Sequence, residues 1–479
     1  MNKRLKSIFL LLLAGFLACM AMPAFAAPVT VTNNMKRGAF PIAASGKAST
    51  VWIDPGDAPV VATAAALFCE DVERGAGLRP RLVNGGSPIP AGTLPVLFGT
   101  LGKSERIDQL ASVGKIETEK VKGQWETFGI AVVKKPFPDV PQALVVYGSD
   151  ARGTAFGIFE LSRMMGVSPW YWWADVTPRK QPTVCVTAGE SIFGPPSVKY
   201  RGIFINDEDW GLYRWAKENF EKELGNIGPK TYEKVCELLL RLQANYLAPA
   251  MHDATTAFYK IPENMRIADR YAIAVGSSHC EPLGLNTASE WDSKTMGEWD
   301  YVNNRAGVDR VLKERVETSA PYENVYTLAL RGLHDRAMAG SEDLDARKAT
   351  MQEALLSQRQ ILTEVLGKPA EEIPQAFTPY KEVLDVYNRG LELPDDVTII
   401  WPDNYGYMKR LSSPAEQKRS GRSGVFYHSS YLGRPHDYLW MNTTSPTLMY
   451  EELRKAYDST ADRIWLLNAG DIKSCEFAV

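Results

Sequence analysis

Apolar positions recur along this chain with two periods. From Lys199 onward, short apolar or alternating runs are separated by stretches whose apolar residues repeat at three- and four-residue spacings, which are the signatures of strand and helix. Eight strands are expected, at residues 201–206, 246–250, 271–275, 325–330, 375–378, 397–401, 425–429 and 464–467. Helices are expected at 232–243, 347–365, 381–387 and 446–457. The third unit has the least regular pattern. Eight strands alternating with helices predict a (β/α)8 barrel of the TIM type.

The upstream half has a different rhythm. Residues 50–53, 95–99 and 143–148 read as strands, and 60–74 carries helical periodicity. After the third of these strands, the polar turn Ser149-Asp150-Ala151-Arg152-Gly153 leads into a helix through Phe159-Glu160-Leu161, an α/β pattern. The polar, proline-containing stretch 178–196 reads as the crossing to the next domain. At the start, Lys3, Arg4 and Lys6 precede an apolar run over 8–22 and the small-residue site Ala24-Phe25-Ala26, the layout of a secretory signal peptide. The expected organisation is a signal peptide over 1–26, an amino-terminal α/β domain over 27–195 and a barrel over 196–479. The expected location is periplasmic or extracellular. No later stretch is long and apolar enough to cross a membrane. The chain stops about a dozen residues after the eighth expected strand, so the barrel is expected to be incomplete, with its last helix missing.

Composition narrows the chemistry. The net charge is −3 and no basic stripe appears, which argues against a nucleic-acid partner. Past the signal, Cys69, Cys185, Cys236, Cys280 and Cys475 are odd in number and form no CxxC, so neither a disulfide framework nor a structural zinc site is expected. Barrel active sites lie just past the carboxyl ends of the strands. There the sequence places Asn206-Asp207-Glu208-Asp209-Trp210, Met251-His252-Asp253, Ser277-Ser278-His279-Cys280-Glu281, Arg331-Gly332-Leu333-His334-Asp335, Tyr380-Lys381-Glu382, Asp403-Asn404-Tyr405, Tyr431 with Arg434 and His436, and Asn468-Ala469-Gly470-Asp471. All five histidines (His252, His279, His334, His428 and His436) fall at or near these ends. Polar groups gathered on such a rim are costly unless they bind something. Two chemistries remain open: glycoside hydrolysis by paired carboxyl groups, and a divalent-metal site of His and carboxylate. The absence of HxH and HExxH spacings weakens the second.

Seven ordered motifs then carry a resemblance. They are Val198-Lys199-Tyr200-Arg201-Gly202-Ile203-Phe204-Ile205-Asn206-Asp207-Glu208-Asp209-Trp210-Gly211, Gly276-Ser277-Ser278-His279-Cys280-Glu281-Pro282, Arg331-Gly332-Leu333-His334-Asp335, Pro379-Tyr380-Lys381-Glu382-Val383, Trp401-Pro402-Asp403-Asn404-Tyr405-Gly406-Tyr407, Tyr431-Leu432-Gly433-Arg434-Pro435-His436-Asp437-Tyr438 and Asn468-Ala469-Gly470-Asp471-Ile472-Lys473. Together they resemble glycoside hydrolase family 115. The resemblance implies an inverting α-1,2-glucuronidase that removes glucuronic acid, or its 4-O-methyl ether, from glucuronoxylan or its oligosaccharides, with no cofactor. On that basis Glu382 is expected to be the general acid and Asp335 the base, with Asp207 in reserve. Arg331 is expected to hold the sugar carboxylate, since a bidentate guanidinium suits one. Asn206, His279, Tyr380, Asn404, Tyr431 and Asn468 are expected to contact sugar hydroxyls, while Glu208 and Asp209 are expected to be structural. Two departures stand out. Ala248 and His252 lie where relatives commonly carry Trp, and relatives continue well past this point, through regions that complete the barrel and can form a homodimer. The alternatives are a non-catalytic remnant that binds sugar weakly and a metal-dependent barrel hydrolase.

Overall fold

The computed structural model describes residues 27–206, 208–429 and 444–473. The expected signal peptide and the expected site residues Asp207 and Tyr431, with Arg434 and His436, lie outside the described residues.

All eight expected strands are present, at Tyr200–Ile205, Tyr246–Ala248, Ala274–Val275, Tyr326–Thr327, Gln375–Phe377, Thr398–Asn404, Ser423–His428 and Ile464–Gly470. They form one curled parallel sheet. The first strand pairs with the second and with the eighth. At the other side, Val275 bridges in parallel to Asn324, just ahead of the fourth strand. Two glycines permit the close approach of neighbouring strands. A Cβ on Gly202 would lie 1.6 Å from the Tyr246 carbonyl oxygen, and one on Gly424 would lie 2.3 Å from that of Ile464. Alternate residues of seven strands, among them Phe204, Tyr246, Ala274, Ala376, Ile400, Phe426 and Leu466, form a buried cluster.

The four expected helices are found at Pro229–Arg241, Leu344–Leu366, Glu382–Asn388 and Pro446–Asp458. Two more, Pro262–Arg270 and Arg305–Ser319, flank the third strand. They fill the unit whose pattern was least regular. The second carries its buried stripe (Val308, Val311, Leu312, Val316) between charged residues that blur the periodicity.

Upstream lies a six-stranded mixed sheet. Leu82–Asn84, Val51–Ile53, Val96–Thr100 and Gln142–Gly148 run parallel, and Phe128–Lys134 and Glu190–Phe193 follow antiparallel. Helix Ala151–Met164 starts at Asp150, whose side chain accepts from the Gly153 amide as an N-cap. The stretch 178–196 is more than a crossing. It supplies Glu190–Phe193 to this sheet, and Val184–Val186 to a small antiparallel sheet with Val31–Thr32, Phe40–Ala44 and Lys47–Ala48. These strands are three and four residues long and bracketed by prolines, so their alternation is too short to stand out.

Helix Pro59–Ala76 and helix Pro229–Arg241 are joined by buried charge. Arg241 bonds Asp71 at 2.8 Å and Glu237 at 2.9 Å, and the Tyr171 hydroxyl donates to Glu237 at 2.8 Å. Phe68, Phe159, Trp173, Tyr232 and Leu239 belong to one core around this junction. Among the described residues, no helix is long and apolar enough to cross a membrane.

Candidate active site

The chain turns sharply just past the fourth strand. His334 and Asp335 take positive φ values of 51° and 64°, and Lys381, leading into helix Glu382–Asn388, takes 51°. Side chains other than glycine adopt this left-handed region at a cost of roughly 1–3 kcal/mol each, so such residues mark places where the surroundings dictate the backbone.

These turns deliver a compact charge cluster. Arg331 donates from Nε to Glu382 Oε1 at 3.1 Å and from Nη2 to Glu382 Oε2 at 2.7 Å, a bidentate pair. Its Nη1 meets Asp335 Oδ1. One guanidinium therefore bridges two carboxyl groups from adjacent strand ends. Asp335 also accepts from His279 Nε2 at 2.7 Å and from Lys381 Nζ at 2.8 Å. The cluster is graded from floor to mouth: the Arg331 side chain is 2% exposed and that of Lys381 is 51% exposed.

Burial pushes the Glu382 carboxyl up, but the hydrogen bonds and charge of Arg331 outweigh it and hold the group below the ordinary carboxylate range. Burial, then the charges of Arg331 and Lys381, push His279 well below the ordinary imidazole range. The ring is neutral, so its single N–H sits on Nε2 and donates to Asp335. That leaves Nδ1 buried without a hydrogen-bond partner.

The aromatic setting joins the expected residues further. The Tyr380 ring lies 4.3 Å from the His279 ring. Phe426, on the seventh strand, lies 5.9 Å from His279 and 4.6 Å from His428. His428 Nδ1 pairs with the buried Asp403 at 2.5 Å, and Asp403 also accepts from the Gly406 amide at 2.8 Å.

Of the expected residues, His279, Arg331, Asp335, Tyr380 and Glu382 come together directly. Asn468 lies opposite His428 on the neighbouring strand, and its Oδ1 accepts from the Gly470 amide at 2.9 Å. Asn206 is half-buried at the end of the first strand, and Asn404 is exposed beside Asp403. Neither side chain bonds the Arg331 cluster. Sequence reading gave no role to Lys381, Phe426 or the Asp403–His428 pair. The signal for the pair was available, because both residues stand at strand ends. Lys381 was hidden by a backbone turn that no residue type announces.

Glu208 ties the loops after the first two strands together. Its Oε1 accepts from the His252 amide at 2.7 Å and from Thr255 Oγ1 at 3.1 Å, while Oε2 is buried without a partner. Burial pushes its pKa up to about 8.

His279, Cys280 and Asp335 offer ligand atoms within 4.8 Å of one another. This donor set does not fit a metal ion. Asp335 already faces the cations Arg331 and Lys381, and burial pushes the Cys280 thiol up to about 12, so it is not the thiolate a metal takes.

Comparison with known proteins gives three findings. The model of glycosyl hydrolase family 115 matches residues 193–479. A solved structure titled as a novel family GH115 4-O-methyl-alpha-glucuronidase, BtGH115A, with specificity for decorated arabinogalactans, is 41% identical with a TM-score of 0.83, covering 91% of this chain and 56% of its own. This chain thus spans little more than half the length of that relative. A GH138 enzyme targeting pectin rhamnogalacturonan II is 12% identical with a TM-score of 0.50, covering 88% of this chain and 47% of its own, a likeness of fold alone. No curated protein matches the chain.

Proposed function

The chain belongs to glycosyl hydrolase family 115, and from that premise we propose that it is an exported α-1,2-glucuronidase, which removes glucuronic acid or its 4-O-methyl ether from xylan with inversion. In this reading the curled sheet is a (β/α)8 catalytic barrel from residue 196 onward, and residues 27–195 are an amino-terminal α/β domain. The observation that carries the reading is the Arg331 bridge between Asp335 and Glu382.

Inversion requires an acid on one side of the scissile bond and a base activating water on the other. Glu382 is the acid and Asp335 the base. In the free protein Arg331 keeps Glu382 ionised, so the acid must gain a proton when substrate binds. The substrate supplies the means. A uronic carboxylate entering past Lys381 competes for the Arg331 guanidinium and places a negative charge beside Glu382. Losing hydrogen bonds and gaining a like charge both raise the pKa of a carboxyl group. Glu382 then gives its proton to the glycosidic oxygen. Asp335, oriented by His279 and Lys381, takes a proton from the attacking water. Asp207 is the reserve base.

Incubation with glucuronoxylan tests this. The unmutated chain should release uronic acid and Glu382→Gln should not. No release from the unmutated chain would refute the activity, and equal release would refute the choice of acid. A second polymer has one observation behind it: the 41%-identical relative's stated specificity for decorated arabinogalactans. Faster release from such an arabinogalactan than from glucuronoxylan would favour that substrate.

A further inference from the structure

The amino-terminal region carries a groove unconnected with the chemistry above. Three cavities of about 820, 330 and 650 Å³ share walls: the first two share Ser87 and Pro88, the second and third share Phe137 and Pro138, and the first and third share Gly92. All three lie against the loop around residues 86–95, each lined by part of it. A compact ligand needs only one such cavity, whereas a run of three suits a chain.

The walls favour one kind of chain. Lys47 and Lys135 line the first and third cavities, Arg81 lines the first, and none of these cations forms an ion pair among the described residues. The largest cavity has no acidic residue in its lining. In the second, Asp54 is neutralised by Arg106, leaving Glu105 there and Asp139 in the third as the only other acids. Apolar contact comes from prolines and from the half-buried ring of Phe137, rigid surfaces that meet the C–H faces of sugar rings without ordering entropy. Two sheet edges flank the groove, Lys47–Ala48 and Leu82–Asn84, each at the end of its strand order. Both edges are short, two and three residues, and so offer an added peptide strand little backbone to pair with.

We propose that this groove binds an acidic polysaccharide chain, one carrying uronic acid groups, and holds polymer on the enzyme away from the catalytic rim. The inference rests on the proposed function for its choice of polymer. The cations contact uronate groups, and the proline and phenylalanine surfaces contact the neutral sugars between them.

The test is affinity electrophoresis through gels containing glucuronoxylan, polygalacturonate or neutral arabinoxylan, with the full chain and with Lys47→Ala/Arg81→Ala/Lys135→Ala. Both proteins carry Glu382→Gln, so that no polymer is consumed. The expected result is retention by both acidic polymers and not by arabinoxylan, with the triple variant weakened about tenfold, the scale of losing several exposed charge contacts. In the background with Glu382 restored, the triple variant should release uronic acid from a short substituted xylo-oligosaccharide at the parental rate. Unchanged retention of the triple variant, or equal retention by arabinoxylan, overturns the groove. Retention of the parent by polygalacturonate that weakens in the triple variant supports it even if no substrate is ever cleaved, so its failure and that of the proposed activity are distinguishable.

Discussion

Two arginines in this molecule each sit buried between two carboxyl groups, and they do different work. Arg241 lies between Asp71 and Glu237 at the junction of the two halves, and Arg331 lies between Asp335 and Glu382 at the sheet rim. At the junction every partner is on a regular helix. The carboxylates are as buried as the guanidinium; Lys234 takes the remaining Glu237 oxygen, and Tyr171 and Arg74 add second bonds to oxygens that Arg241 already holds. At the rim the guanidinium is buried but its carboxylates face the opening. They ride on left-handed turns, and the neighbouring His279 Nδ1 has no partner. The same triad is closed and satisfied where it joins parts of the fold. It is open, strained and incomplete where chemistry is proposed.

The largest effect should come from the open triad. Asp335→Asn should lower kcat on glucuronoxylan by about a thousandfold or more while moving the thermal midpoint little, the loss expected of a residue acting in the transition state. A comparable fall in stability would contradict the contrast. The closed triad should show the reverse. Arg241→Met removes the buried cation that two carboxylates share, leaving them only Arg74 and Lys234, and should cost about 3 kcal/mol in chemical denaturation, with the rate per folded molecule unchanged.

Glu208 sharpens the comparison, because it is a buried carboxyl with no cation. Its folded pKa of about 8 lies above the ordinary value of 4.5. As pH rises through 4.5 the unfolded chain loses this proton while the folded one keeps it, so stability falls until about pH 8 and then levels off. Glu208→Gln should remove that fall, leaving the variant about 4 kcal/mol more stable relative to the parent at pH 8 than at pH 4. Thermal melts across that range would show it, and parallel curves would refute it. The smallest effect should be at the mouth. Lys381→Met should raise KM for uronic acid release about tenfold with a smaller change in kcat, as loss of a half-exposed charge contact predicts.

Much of this was legible from sequence, for identifiable reasons. The eight strands stand out because their apolar runs are bounded by polar strand ends, and those ends hold His279, Arg331, Asp335, Tyr380 and Glu382. The two helices beside the third strand were hidden by charged residues on their faces, and Val184–Val186 by its brevity. The pairing of Arg331 with Glu382 was not legible either. The two residues are 51 positions apart, and only the turns at Asp335 and Lys381 bring them together. Arg331 was expected to await a sugar carboxylate, whereas in the free protein two protein carboxylates already occupy it.

That occupancy makes the role of Glu382 the central claim, and the leaving group tests it. The aryl oxide of an aryl α-glucuronide departs without a proton, whereas the sugar oxygen of xylan needs one to depart. The account predicts that Glu382→Gln loses about a thousandfold in kcat/KM on glucuronoxylan but no more than about tenfold on the aryl glucuronide, with Asp335→Asn impaired on both. Equal loss on the two substrates for Glu382→Gln would contradict it.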